Sequence, residues 1–248
     1  MTAIVLGAGV GRRLRELTGG RPKCLLRFGG RSLLRRLLES LGRAGVDRAA
    51  VVVGAGADEI RAELRDWAGP PRVFFVENPD YERGAILSLW AAREFFDDAI
   101  LVMDADVLCP VAMVRRLVES PRENCFLLDG RVRSTGEEQM LMASGGRVLD
   151  ISRRPEPGYE TYGESVGFLK LSRDAARTLR AVLEDEIARG RLDIEHEEAY
   201  PRLLRAVPVG YERVDDLPWT EIDFPEDVRR AREEILPLVE ALDAREKA

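Results

Sequence analysis

Residues Leu6 to Leu14 read LGAGVGRRL, and Arg21-Pro22-Lys23 follows closely. The short apolar run Ala3 to Leu6 thus passes straight into a loop with glycines at 7, 9 and 11. Glycine permits the tight turn and leaves backbone N–H groups bare for phosphate oxygens. Arg13 and Lys23 bring positive charge to the same mouth. The stretch predicts a strand, a phosphate-cradling loop and a helix, the opening of an α/β domain.

Two other glycine loops do not fit. The dinucleotide fingerprint GxGxxG, begun at Gly7, would need glycine at Arg12; begun at Gly9, it would need a small residue at Leu14. The second predicted strand also ends on Gly54 and not on an acidic ribose ligand. A Walker A loop needs Gly-Lys and then Ser or Thr, whereas Lys23 lies between Pro22 and Cys24. What remains resembles the sugar-nucleotidyltransferase superfamily of MobA-like NTP transferases, in which a glycine loop with arginine and a later Pro-Lys wrap a nucleoside triphosphate. Arg12 stands where threonine is usual, and related cytidylyltransferases of isoprenoid synthesis also carry paired arginines. The resemblance implies a Rossmann-like three-layer α/β/α fold with a mostly parallel mixed sheet. It implies nucleotide binding by Leu6, Ala8, Gly9, Gly11 and Arg12, with Arg13 and Lys23 as catalytic cations.

Composition agrees with one enzyme-sized unit. The chain has 248 residues, 45% of them hydrophobic, enough to bury a large core. The expected organisation is a single nucleotidyltransferase domain over 1–248, with 1–108 as the nucleotide-binding half and 109–248 completing the acceptor and metal sites. The net charge of -6, with acids and bases interleaved, gives no basic footprint for nucleic acid. Cys24, Cys109 and Cys125 have no paired spacing, which argues against a disulfide framework or zinc site and fits a reducing cytoplasm. No run approaches the ~18 apolar residues that cross a bilayer, and Ala3 to Leu6 is too short for a signal peptide. The oligomeric state is left open, a homo-oligomer included.

Apolar runs of strand length alternate with segments of helical period, the pattern of a parallel sheet covered by helices. Strands are expected at 2–7, 49–54, 72–76 and 99–104, with helices over 32–44, 57–67 and 85–96. Beyond Asp106 the pattern gives a helix at 110–119 and strands at 124–128, 138–143, 147–151 and 164–170. Helices at 173–189 and 195–205, a strand at 209–214 and a last helix from 226 to 243 complete it.

Ile100 to Leu108 reads ILVMDADVL, an apolar strand ending in Asp104-Ala105-Asp106. Ligands of open α/β sheets bind outside the carboxyl ends of the strands, and hard oxygen donors suit Mg²⁺. The resemblance assigns Asp106 as a metal ligand and leaves Asp104 to support the site or touch the nucleotide. In Leu217 to Ala231, LPWTEIDFPEDVRRA, Asp223 is placed to cap the helix that Pro225 opens, with Glu226 completing a capping box. The resemblance makes Asp223 the second metal ligand, and both roles are compatible.

These sites imply attack of a substrate phosphate or phosphonate oxygen on the α-phosphorus of a nucleotide, with pyrophosphate leaving. Catalysis by positioning and charge stabilisation needs no general base for an acceptor already ionised near pH 7. His196, the single histidine, stands in a run of acids and reads as a surface residue. Asn78-Pro79-Asp80-Tyr81 and Gly84-Ala85-Ile86-Leu87-Ser88-Leu89 resemble the nucleobase segment of phosphocholine, aminoethylphosphonate and inositol-1-phosphate cytidylyltransferases. CTP is therefore the expected nucleotide, with Gly84 and Ser88 at the base. Tyr162, Glu164, Trp219 and Glu221, with Tyr159 and Tyr200, are candidates to surround the acceptor, because aromatic faces and carboxylates attract cationic head groups. An inositol phosphate would instead use the carboxylates as partners for its hydroxyls. Two further readings stand beside this one, an NDP-sugar pyrophosphorylase using another NTP and a non-catalytic nucleotide-binding regulatory subunit.

Overall fold

A computed structural model describes residues 1–131 and 135–246. Four parallel strands lie side by side in the order Arg72–Glu77, Arg48–Val53, Thr2–Leu6 and Ile100–Asp104. The long strand Thr161–Leu171 continues the sheet antiparallel to Ile100–Asp104. Its first half pairs with Met140–Ser144, which pairs in turn with Arg147–Ser152. Cys125–Asp129 also pairs with it, and Gly210–Arg213 lies parallel beside Cys125–Asp129. The expected mixed, mostly parallel sheet in three layers is the one observed.

Three of these parallel strands, Thr2–Leu6, Arg48–Val53 and Ile100–Asp104, are buried on both faces, which explains their unbroken apolar runs, while the edge strand Arg72–Glu77 stays partly exposed. Ala3, Val5, Val51, Leu101 and Met103 pack under the helices Leu33–Arg43, Ala57–Glu63 and Val111–Val118. Ile4, Val52, Ile100 and Val102 pack under Ala85–Ala91, Arg173–Ala188 and Tyr200–Ala206. Leu33–Arg43 starts where the Ser32 hydroxyl accepts from the Arg35 N–H at 3.2 Å, and it turns Leu34, Leu37, Leu38 and Leu41 inward. A smaller core of Leu14, Phe28, Leu33, Leu108, Ile222 and Val228 joins the end of the glycine loop to the segment that carries Asp223.

Register sets the geography of the site. Leu6 is level with Val52 on one side and Asp104 on the other, so the glycine loop, Gly54 and Asp104 leave the sheet at one edge. Gly11 takes a left-handed backbone (φ 59°), which the loop needs to turn into Arg12–Leu14.

Several boundaries differ from the sequence reading, each for a physical reason. The last helix is not continuous: Pro225–Arg230 and Leu236–Arg245 flank a wider π turn over Ala231–Ile235. Pro237 has no N–H for the turn before it, which displaces the bonding pattern there. The predicted helix at 195–205 begins as a tighter turn, His196–Ala199, before Tyr200–Ala206. Asp223 does not cap Pro225–Arg230. Phe224 holds that position, and Asp227, not Glu226, accepts the N–H groups of Phe224 at 2.8 Å and Asp223 at 3.1 Å. The Asp223 carboxylate is therefore free for other work. Two short pairings escaped the sequence reading: the hairpin Arg27–Phe28 with Arg31–Ser32, and Val107–Leu108 with Thr220–Glu221.

Gly84 donates its N–H to the Leu192 carbonyl at 3.0 Å, and a Cβ on it would run into the Ile194 backbone. Gly84→Ala is expected to lower unfolding free energy by about 1–3 kcal/mol, the usual penalty of overpacking, measured by urea denaturation.

Candidate active site

One polar cavity lies across the strand ends. Its walls are the glycine loop from Leu6 to Leu14, the segment around Tyr81 to Ser88, Asp104 to Asp106, and Glu164 to Gly167. Leu6, Ala8, Gly9, Gly11, Arg12 and Arg13 all reach it, as do Lys23, Ser88, Asp104, Asp106, Glu221 and Asp223. Residues distant in the chain are thus brought together as the motifs suggested.

Val107–Leu108 pairs with Thr220–Glu221, and Ile222 N–H donates to the Asp106 carbonyl at 3.1 Å. This staple sets Asp106, Glu221 and Asp223 together, with carboxylate oxygens within 4.8 Å of one another. Lys23 sits in their midst, its Nζ bonded to Asp106 and, at 2.6 Å, to Asp223 Oδ1. Burial opposes the Lys23 charge, but Asp106, Asp223 and Glu221 more than offset that and hold its pKa well above the ordinary lysine value. Burial, reinforced by Asp106 and Asp223, pushes the Glu221 carboxyl well above its usual range. Asp106 Oδ1 is buried with no hydrogen-bond partner.

Arg13 donates to Glu137 at 2.9 Å, and its guanidinium lies 4.6 Å over the Phe224 ring, so it bridges the cavity mouth. Ser88 accepts from Asn78 Nδ2 at 3.0 Å, which leaves its own hydroxyl proton free to donate. Gly84 is not on the cavity wall; its place is under the 192–194 segment.

The reading of His196 as a surface residue is overturned. It is 4% exposed, packed 5.5 Å from the Tyr200 ring, with Nε2 3.4 Å from Asp104 Oδ1. Burial disfavours its charge, yet Glu197, Asp104 and Glu195 outweigh that and raise its pKa to about 9. Burial raises Asp104 to about 6 against the pull of His196. Glu195, His196 and Glu197 all line the cavity. The run of acids around a lone histidine was the signal, and solvation was the wrong inference from it.

A second, more apolar cavity adjoins the first and shares Glu164, Glu221 and Asp223 with it. Trp219 lines it and donates from Nε1 to Asp129 at 2.8 Å. Of the aromatic candidates for an acceptor site, only Trp219 reaches either cavity. Tyr162 uses its hydroxyl on the Tyr159 N–H and the Glu156 carbonyl, the two rings stack edge to face, and Tyr200 is core. The three cysteines are free and buried. No described helix is long and apolar enough to cross a membrane.

The chain matches the family described as "MobA-like NTP transferase domain" over residues 3–199. It is 35% identical to the "Bifunctional IPC transferase and DIPP synthase" of Rubrobacter xylanophilus across 94% of this chain and 52% of that protein. The chain spans about half the length of several of the curated relatives it matches. Among solved structures it is similar to the inositol-1-phosphate CTP transferase of T. maritima, with a TM-score of 0.79, 23% identity, and 96% of each chain covered. It is also similar to CTP:phosphocholine cytidylyltransferase of Streptococcus pneumoniae, with a TM-score of 0.78, 22% identity, and coverage of 94% of this chain and 97% of that one. At these identities the structures establish a shared fold.

Glu164, between the cavities, has its carboxyl raised to about 7 by burial and by the nearby Glu138 and Asp129. A carboxyl raised on folding binds more protons in the native state, so its ionisation subtracts stability as pH rises from the ordinary carboxylate range to about 7. Glu164→Gln should leave stability near wild type at pH 4.5 and exceed it at pH 8, read by urea denaturation at both pH values.

Proposed function

Because the chain belongs to the family of the MobA-like NTP transferase domain, a family of nucleotidyltransferases, we propose that it is a Mg²⁺-dependent cytidylyltransferase. In this reading it joins CTP to a small phosphorylated alcohol or phosphonate of the phosphocholine, aminoethylphosphonate or inositol-1-phosphate type. The observation that carries the reading is the meeting of Lys23, Asp106 and Asp223 at the junction of the glycine loop's cavity with a second one. The relatives' names support the nucleotide and the acceptor class. Residues 1–248 act as one unit in this account, and three free buried thiols suit the cytoplasm.

Mg²⁺ fits the donor set. Asp106 and Asp223, with Glu221 beside them, offer hard oxygen ligands, and the partnerless Asp106 Oδ1 is a buried acceptor in want of a cation. When bound, the ion would supply Lewis-acid stabilisation of the negative charge on the nucleotide's phosphates. The acceptor's anionic oxygen forms the new P–O bond at the α-phosphorus, the bond to the β-phosphate breaks, and pyrophosphate leaves with that electron pair. Bare N–H groups of the glycine loop and the cations Arg12, Arg13 and Lys23 meet the charge on the departing phosphates. The acceptor oxygen carries no proton near pH 7, so no base is required. Glu164, Glu221 and Trp219 stand on the acceptor side.

Pyrophosphate release with Mg²⁺ is expected only with CTP and a phospho-alcohol or phosphonate, in a screen that includes UTP, GTP, ATP, dTTP and hexose-1-phosphates. Turnover confined to a hexose-1-phosphate would overturn the acceptor assignment. Asp223→Asn should reduce that release at least about 100-fold while its stability stays within about 1 kcal/mol of wild type, since the ion pair it loses is partly solvated and the residue caps no helix. Retained turnover would remove Asp223 from the metal site.

A further inference from the structure

We propose that Asp104, His196 and Glu197 form a hydroxyl-recognition subsite that grips a vicinal diol, supplied by a polyol phosphate acceptor or by the ribose of the nucleotide. The inference deepens the function proposed above and rests on it. All three residues line the first cavity, and none of them is bonded to Lys23, Asp106, Glu221 or Asp223, although Asp104 stands two residues before Asp106. The buried imidazole lies between two carboxylates, Nε2 3.4 Å from Asp104 Oδ1 and Nδ1 3.3 Å from Glu197 Oε2. The second approach falls outside hydrogen-bonding geometry, which leaves a buried, unpartnered ring nitrogen facing the cluster.

The fold holds this arrangement from behind. Gly167 breaks the register of the long strand with a left-handed backbone (φ 78°), and a Cβ there would meet Asp104 Oδ2. Gly84 seats the 192–194 segment that delivers His196. Asp104 Oδ1 and Glu197 Oε2 face the imidazole, so Asp104 Oδ2 and Glu197 Oε1 remain as acceptors, and adjacent hydroxyls are the donors that match such a pair. The local negative charge repels phosphate. Tyr81 is the only aromatic residue among the described ones that lines this cavity, so no aromatic cage for a quaternary ammonium is built here.

Calorimetry with wild-type protein and Mg²⁺ would compare inositol-1-phosphate with ethyl phosphate and with 2-aminoethyl phosphate, both without nucleotide and with α,β-methylene-CTP. A second arm would compare CTP with 2′,3′-dideoxy-CTP. The diol-bearing member should bind at least about tenfold more tightly in one arm, and Glu197→Gln should erase that preference; which arm responds identifies the source. Should Glu197→Gln fail to fold by circular dichroism, Asp104→Asn carries the same comparison. Equal affinities within both arms, a preference for the amine, or a preference unchanged in the folded variant would overturn the subsite. A wild type that releases no pyrophosphate with any substrate pair counts against the cytidylyltransferase reading instead, and the two binding arms, which need no turnover, still decide the subsite.

Discussion

The pairing of Leu6 with both Val52 and Asp104 is the constraint on which the rest depends. Parallel strands in register end together, so the glycine loop and the aspartate pair emerge at one edge. The apolar runs beneath them, buried on both faces, hold that register, because a slip of one residue would exchange the two core faces.

On that edge the protein concentrates like charge. Asp106, Glu221 and Asp223 would repel one another were Lys23 not among them. One ammonium cannot satisfy three carboxylates: Asp106 Oδ1 is left without a partner, and the Glu221 carboxyl is raised by its burial first and by Asp106 and Asp223 after it. That shortage of positive charge is what supports the cation proposed for this site. The Asp104, His196 and Glu197 group is the contrasting case, in which a buried imidazole already supplies the counter-charge and the carboxylates are left to accept hydrogen bonds.

The strands were legible because their periodicity is local: each expected one has its counterpart within about three residues. The last helix was legible in extent and not in continuity, since Pro237 acts through a turn that the 3.6-residue pattern does not register. The cap at Asp223 was misread because two acids, Glu226 and Asp227, compete for one pair of N–H groups, and only backbone direction selects Asp227. The aromatic candidates sorted themselves by packing, with Tyr200 in the core, Tyr159 and Tyr162 against each other, and Trp219 alone on a cavity wall.

By itself the amino-acid sequence determined the α/β fold and set the glycine loop at the end of its first strand, because glycine spacing and apolar runs act over a few residues, while the roles of Asp106 and Asp223 were implied by resemblance. Tertiary structure decided the rest. Whether His196 is solvated or wedged between carboxylates depends on Gly84 and Gly167 yielding space to segments far away in the chain. Whether Asp223 caps a helix or meets Lys23 depends on a two-strand staple at Val107–Leu108 and Thr220–Glu221. Charge environment and burial are sums over neighbours in space, and those neighbours exist only once the chain has closed on itself.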